Sequence, residues 1–152
     1  MTNRVCVVGL GYIGLPTAVV LANAGYEVHG CDVDSNVVSM LNSGEVHIVE
    51  PGLEANFRVA ITRGNFSAHV EPGAADIYMI CVPTPFHGES DTPAPNVDYI
   101  LAATRTLAHL VKPGDCVILE STSPLGTTAL IEDVLQESGV DTSKIHVAYC
   151  PE

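Results

Sequence analysis

The sequence predicts an α/β fold, a doubly wound domain on one parallel sheet, from three observations. Short apolar, β-branched runs alternate with segments of helical period along the whole chain. A glycine-rich turn joins the first run to the first helical segment. The length, 152 residues, suits one domain of six strands with five connections. Strands alternating with helices build right-handed βαβ units, which lay the strands side by side in parallel.

Each element follows from its local pattern. Arg4–Val8 is a continuous β-branched run, as a strand covered on both faces requires. Residues 13–24 read as a helix that Gly25 ends. Glu27–Cys31 is the next strand. Asp34 is placed to cap a helix running to Asn42, with Val37, Val38 and Leu41 on one face. Residues 52–62 carry Leu53, Phe57 and Ile61 at i, i+4 and i+8, a further helix. Residues 65–69 form a weak strand and 77–82 a strong one. Residues 83–96 hold four prolines and almost no aliphatic side chain, so they are expected to be a long loop of the kind that is often functional. In that loop His87 and Glu89 read first as solvated loop residues, with a lid over cofactor or sugar as the alternative. Asn96 should cap a helix carrying Val97, Ile100, Thr104, Leu107 and Val111 in register. Lys112-Pro113-Gly114-Asp115 is a turn with Pro and Gly where a type II turn wants them. Residues 115–119 form a strand, Thr127–Glu137 a helix stopped by Gly139, and 144–149 the last strand.

Composition and charge narrow the functions. Hydrophobic residues make up 47% of the chain and charged residues 16%, which excludes a disordered or acidic-tail protein. Six Lys and Arg against eighteen Asp and Glu give a net charge of −12. Without clustered cations, nucleic acid and anionic membrane surfaces are not expected as partners. A phosphate ligand remains open to the chain if backbone N–H groups bind it. The five cysteines are Cys6, Cys31, Cys81, Cys116 and Cys150, widely spaced and without a C-x-x-C. They read as buried, reduced thiols of a cytoplasmic protein. The apolar stretch from Val5 is broken by Gly9 and Gly11, unlike a signal peptide, and no apolar run reaches the ~18 residues of a membrane span. The histidines lack the spacing of a zinc site, so no metal is expected.

Gly9-Leu10-Gly11-Tyr12-Ile13-Gly14 is a G-x-G-x-x-G that follows a predicted strand and opens a predicted helix. That context makes it a dinucleotide fingerprint of a Rossmann-type domain. Gly9 permits the tight turn, Gly11 lets a pyrophosphate approach the backbone, and Gly14 lets the helix pack on the strand. The N–H groups of Tyr12 and Ile13 should face the pyrophosphate, helped by the helix dipole. Asp32, 18 residues after Gly14, ends the second strand, where an acid accepts hydrogen bonds from the adenosine ribose and repels a 2′-phosphate. With no Arg or Lys in Val33-Asp34-Ser35-Asn36, NAD is favoured over NADP. S-adenosylmethionine is the runner-up ligand, since it too sits on a glycine-rich turn with an acid after the second strand. A P-loop is excluded by the lack of G-K-[ST].

Five segments, the glycine turn included, occur in order: residues 9–16 (GLGYIGLP), 47–53 (HIVEPGL), 82–86 (VPTPF), 120–126 (ESTSPLG) and 149–152 (YCPE). Together they resemble the UDP-glucose/GDP-mannose dehydrogenase family over essentially the whole chain. The resemblance implies an enzyme that oxidises the C6 alcohol of a nucleotide sugar to a carboxylate in two steps with two NAD+. Glu120, residues 46–51 and residues 149–152 point within the family to the branch acting on UDP-N-acetyl-D-mannosamine. Members acting on UDP-glucose, which usually carry Lys at the position of Glu120, and on UDP-N-acetylglucosamine stay open. By the same resemblance Val82, Pro83 and Thr84 line the nicotinamide-side ribose, and Glu120 and Thr122 lie close to the nicotinamide. Thr122 is similar to the threonine that positions the catalytic water, and Glu152 to the glutamate that assists as general base.

The resemblance also implies what this chain lacks. The family's nucleophilic Cys, with its catalytic Lys and Asn, lies in a later domain, so residues 1–152 are expected to be a fragment without the central helical and sugar-binding domains. Cys150 has no neighbouring cation to activate it and is not expected to substitute. Lys144 reads as solvated. The expectation is therefore a chain that binds NAD, meets the UDP-sugar through the missing domain, belongs to a homo-oligomeric parent, and turns over no sugar alone. A stand-alone NAD-sensing module is the alternative of another class; the VPTP, ESTSP and YCPE segments speak against it.

Overall fold

The computed structural model describes residues 4–87 and 94–151. The elements in chain order are β1 (Arg4–Val8), α1 (Gly14–Asn23), β2 (Glu27–Cys31), α2 (Ser35–Asn42), α3 (Leu53–Arg63), β3 (Phe66–His69) and β4 (Ile77–Ile80). A short antiparallel pair follows, β5 (Phe86–His87) with β6 (Ala94–Pro95), and then α4 (Asp98–Leu107), β7 (Cys116–Leu119), α5 (Thr127–Glu137) and β8 (His146–Tyr149). The six longer strands form one parallel sheet in the order β3-β2-β1-β4-β7-β8. The chain therefore starts in the middle, winds outward, and crosses back between β1 and β4.

Alternation along the strands explains the two faces. Val5 and Val7 of β1 join Leu15, Val19, Phe57 and Phe66 in a core on the side of α1, α2 and α3. Cys6, between them, joins Tyr78, Ile80, Val117 and Leu119 under α4 and α5 on the other side, where Ile100, Leu107, Ile131 and Leu135 are buried. A sheet buried on both faces needs apolar side chains at successive positions, and β1 supplies them. Phe57 and Phe66 meet edge to face with ring centroids 5.3 Å apart.

Most boundaries match the sequence reading, and two depart from it. β4 ends at Ile80, two residues before the expected Val82; beyond it the Cys81 N–H still bonds the Val8 carbonyl at 2.8 Å, and the Val82 carbonyl accepts the Ser121 hydroxyl at 2.6 Å. α4 ends at Leu107, so Val111 is not on its face. A 3₁₀ turn over Ala108–Leu110 intervenes, and the chain is extended at Val111 as it nears Pro113. The expected loop 83–96 contains the β5–β6 pair, closed by the Asn96 N–H on the Pro85 carbonyl at 2.6 Å. Asn96 does bind the α4 start, its Oδ1 accepting the Asp98 N–H at 2.7 Å. Asp34 caps α2 through the Asn36 N–H at 2.9 Å. Residues 88–93, with Glu89 among them, and Glu152 lie outside the described residues.

The cysteines divide. Cys6, Cys31 and Cys81 are buried, Cys116 is half-buried, and Cys150 is exposed because β8 is the sheet's outer strand. Burial pushes the Cys6 thiol up to about 11. Burial, reinforced by Cys6, Asp32 and Glu71, pushes Cys31 up to about 12.

Candidate functional site

Ligands of doubly wound sheets bind in the crevice beyond the carboxyl ends of the strands, where the winding reverses. Here that place lies between β1 and β4. Gly9 follows β1 and Cys81 follows β4, and the two segments touch. At Gly9, with φ +92°, a Cβ would stand 2.8 Å from the Cys81 carbonyl oxygen, so only glycine fits. At Gly14 a Cβ would overlap the Gly9 carbonyl oxygen and approach the Cys81 Cβ to 2.9 Å. These two glycines let strand, turn and helix close on one another.

Gly11 differs. A Cβ there would meet nothing within 4 Å, so the space over it is open. Tyr12 and Ile13 beside it are exposed, and their backbone N–H groups have no acceptor among the described residues. Free N–H groups at the start of a ten-residue helix, over an open glycine, form a cradle for an anion. A pyrophosphate fits this donor set, and a side chain at Gly11 would fill its place.

Asp32 is positioned by the backbone. Its Oδ2 accepts the Leu10 N–H at 2.9 Å and its Oδ1 accepts the Asp34 N–H at 3.0 Å. The carboxylate is thus fixed beside the glycine turn, with lone pairs left for two vicinal hydroxyls. Val33 next to it is 91% exposed and Asp34 is engaged as a cap, so neither of these two positions offers a cation for a 2′-phosphate.

The other half of the crevice is built from the turns after β4 and β7. The Ser121 hydroxyl donates to the Val82 carbonyl, and the Thr84 hydroxyl donates to the Thr122 carbonyl at 2.8 Å. These bonds fasten the VPTP turn to the ESTSP turn. The Thr122 side chain is left exposed on a fixed backbone, and the Ser123 N–H reaches the Tyr149 hydroxyl at 3.4 Å. Pro83 is exposed and Val82 packs partly into the core. Glu120 turns inward and is 6% exposed. Its Oε1 accepts the Thr17 hydroxyl at 3.0 Å and its Oε2 accepts the Cys81 thiol at 2.9 Å.

The structure therefore brings Gly9, Gly11, Tyr12, Ile13, Gly14, Asp32, Val82, Pro83, Thr84, Glu120 and Thr122 to one edge of the sheet. Sequence reasoning missed Thr17, Cys81, Ser121 and Tyr149. A carboxylate closing the apolar run Cys116–Leu119 signals a buried acid that needs partners. Its partners are 39 and 103 residues away in sequence, and no local pattern shows them. Among the described residues, no group of three His, Cys, Asp or Glu side chains is placed to hold a metal ion. No helix among them is long and apolar enough to cross a membrane.

This fold and this edge define the dinucleotide-binding domain of a dehydrogenase. Residues 3–152 match the NAD binding domain of the UDP-glucose/GDP-mannose dehydrogenase family, and the chain belongs to that family. It is 45% identical to UDP-N-acetyl-D-mannosamine dehydrogenase of Campylobacter jejuni over 99% of this chain and 39% of that protein. It is 46% identical to NDP-N-acetyl-D-galactosaminuronic acid dehydrogenase of Ralstonia nicotianae, again over 99% of this chain and 37% of that protein. Among solved structures, UDP-N-acetyl-mannosamine dehydrogenase of Staphylococcus aureus superimposes with a TM-score of 0.92 at 30% identity, covering 99% of this chain and 37% of that one. The chain thus spans little more than a third of the length of these relatives.

Proposed function

We propose that this chain supplies the NAD-binding part of a nucleotide-sugar 6-dehydrogenase whose substrate is UDP-N-acetyl-D-mannosamine. The observation that carries the cofactor side is Asp32, fixed by Leu10 and Asp34 beside an open Gly11. The names of the relatives, which act on N-acetylated sugar nucleotides, support the substrate. UDP-glucose is the alternative, supported by a UDP-glucose dehydrogenase of Pyrobaculum islandicum that superimposes with a TM-score of 0.84.

Bound NAD+ supplies a hydride acceptor. The residues around it have separable tasks. The N–H groups of Tyr12 and Ile13 hold phosphate oxygens, and Asp32 accepts from the adenosine ribose. Val82, Pro83 and Thr84 shape the nicotinamide-side wall, which the bond from Thr84 to the Thr122 carbonyl keeps in register. Thr122 presents a hydroxyl that orients water, and Glu152 takes a proton. The sulfur nucleophile that a second oxidation needs is supplied by sequence beyond the third of the relatives matched here. Cys150 has no Lys or Arg beside it in the sequence and is not assigned that role. Nucleotide sugars and NAD are soluble metabolites, and the buried free thiols suit a reducing compartment, so the cytoplasm is the site of action.

Titration calorimetry with NAD+, NADP+ and S-adenosylmethionine tests the reading. Saturable binding of NAD+ with much weaker NADP+ is expected. Binding of S-adenosylmethionine with indifference to NAD+ would overturn it. With UDP-N-acetyl-D-mannosamine and NAD+, the 152 residues alone should form no NADH.

A further inference from the structure

The peptide unit that joins Thr122 to Ser123 is held from two sides. Its carbonyl, on Thr122, accepts the Thr84 hydroxyl at 2.8 Å. Its N–H, on Ser123, donates to the Tyr149 hydroxyl at 3.4 Å. Thr84 lies in the turn after β4 and Tyr149 ends β8, so the two hydroxyls reach one unit from the strands on either side of β7. A trans peptide is planar, with its C=O and N–H pointing to opposite sides. One bond leaves such a plane free to swing about it. Two bonds at opposite ends fix ψ of Thr122 and φ of Ser123 together.

The flanking backbone is fastened as well. The Ser121 hydroxyl donates to the Val82 carbonyl at 2.6 Å, and the Cys150 N–H donates to the Leu119 carbonyl at 2.9 Å, which keeps β8 in register with β7 beside Tyr149. Thr122 does not hold itself. Its side chain is exposed, and its hydroxyl has no hydrogen-bond partner among the described residues. A β-branched side chain has few χ1 choices, so the backbone that carries it decides where the hydroxyl points. The Tyr149 ring is 43% exposed, so core packing does not account for its place.

We propose that Tyr149 is a positioning residue that acts, together with Thr84, on Thr122. The two hydroxyls lock the 122–123 peptide and so present the Thr122 hydroxyl in one orientation at the carboxyl end of β7. This rests on the reading of Thr122 as the group that orients water, and deepens it.

The chain, at 16.0 kDa, suits side-chain NMR, in which three-bond couplings to the Thr122 methyl carbon report χ1. The unsubstituted chain should show a single rotamer, and Tyr149→Phe an average over two or more. Thr84→Val should average in the same way, whereas Thr84→Ser, which keeps the hydroxyl, should restore the single rotamer. A merely structural role would lower the melting temperature and leave these couplings alone. In the full-length dehydrogenase Tyr149→Phe should lower kcat by about twofold to tenfold, the range a lost neutral hydrogen bond allows, with KM for NAD+ little changed. Averaged couplings in the unsubstituted chain, or a single rotamer retained in Tyr149→Phe, overturn the proposal. So does an unchanged kcat in Tyr149→Phe where Thr122→Val lowers it. If Thr122→Val also leaves kcat unchanged, the reading of Thr122 itself is what fails. Should Tyr149→Phe not fold, Thr84→Val set against Thr84→Ser decides from the other end of the plane.

Discussion

The side chain of Asp32 accepts the backbone N–H of Leu10, inside the glycine turn, at 2.9 Å. The residue proposed to select the cofactor's ribose is thereby also a strut of the glycine turn proposed to hold its phosphates. Asp32→Ala should weaken NAD+ by roughly tenfold to a hundredfold and relax the discrimination against NADP+. It removes a charge-assisted bond, typically worth about 1.5–3 kcal/mol, and the repulsion of a 2′-phosphate together. Calorimetry with both cofactors reads the two effects separately.

The three fingerprint glycines should not behave alike. Gly14→Ala forces a Cβ onto the Gly9 carbonyl and the Cys81 side chain, so it should lower the unfolding midpoint sharply. Gly11→Ala meets open space at a backbone angle outside the left-handed region. It should leave the thermal midpoint nearly unchanged and weaken NAD+ binding. Thermal melts paired with binding isotherms distinguish a structural glycine from one that makes room for a ligand.

Tyr78 is fully buried, and its hydroxyl accepts the Ala75 N–H and donates to the Leu110 carbonyl, both at 3.1 Å. Tyr78→Phe keeps the packing and leaves both backbone groups without that partner. The expected loss is about 1–3 kcal/mol, measured by urea unfolding, with NAD+ affinity retained because the residue faces α4 rather than the crevice.

Alkaline pH should destabilise the fold through its buried thiols. Below pH 9 both folded and unfolded chains keep Cys6 and Cys31 protonated. Above the ordinary thiol value of 9.0 the unfolded chain releases these protons, while the fold retains them up to about 11 for Cys6 and about 12 for Cys31. The unfolded state then binds fewer protons, so stability falls as pH rises through that window. Urea midpoints at pH 8, 9 and 10 should decline, less steeply in Cys6→Ala. At pH 8 a thiol reagent should label exposed Cys150 rapidly and the buried cysteines only on unfolding.

Much of the fold is legible in the sequence because its signals are local. Apolar runs mark the strands, Asp34 and Gly25 mark helix ends, and the glycine spacing sets the first turn. The two boundaries that shifted differ in kind. Past the end of β4 the Val82 carbonyl accepts a hydroxyl from Ser121, 39 residues away and outside any local window. α4 stops short of Val111 at a neighbouring 3₁₀ turn before Pro113, which periodicity alone does not register.

By itself, the sequence determined the order of the longer strands and helices and the place of the glycine turn, and it singled out Asp32 at the end of β2. These depend on φ/ψ limits, side-chain period and spacing within about thirty residues. Only the tertiary structure decided how Asp32 is held by Leu10, how Thr84 fastens the backbone of Thr122, and that Glu120 turns inward to Thr17 and Cys81. The reason is physical. A buried polar group needs a partner wherever the chain can bring one, and the parallel winding of the sheet brings residues from β1, β4 and β7 to one edge regardless of their distance in sequence.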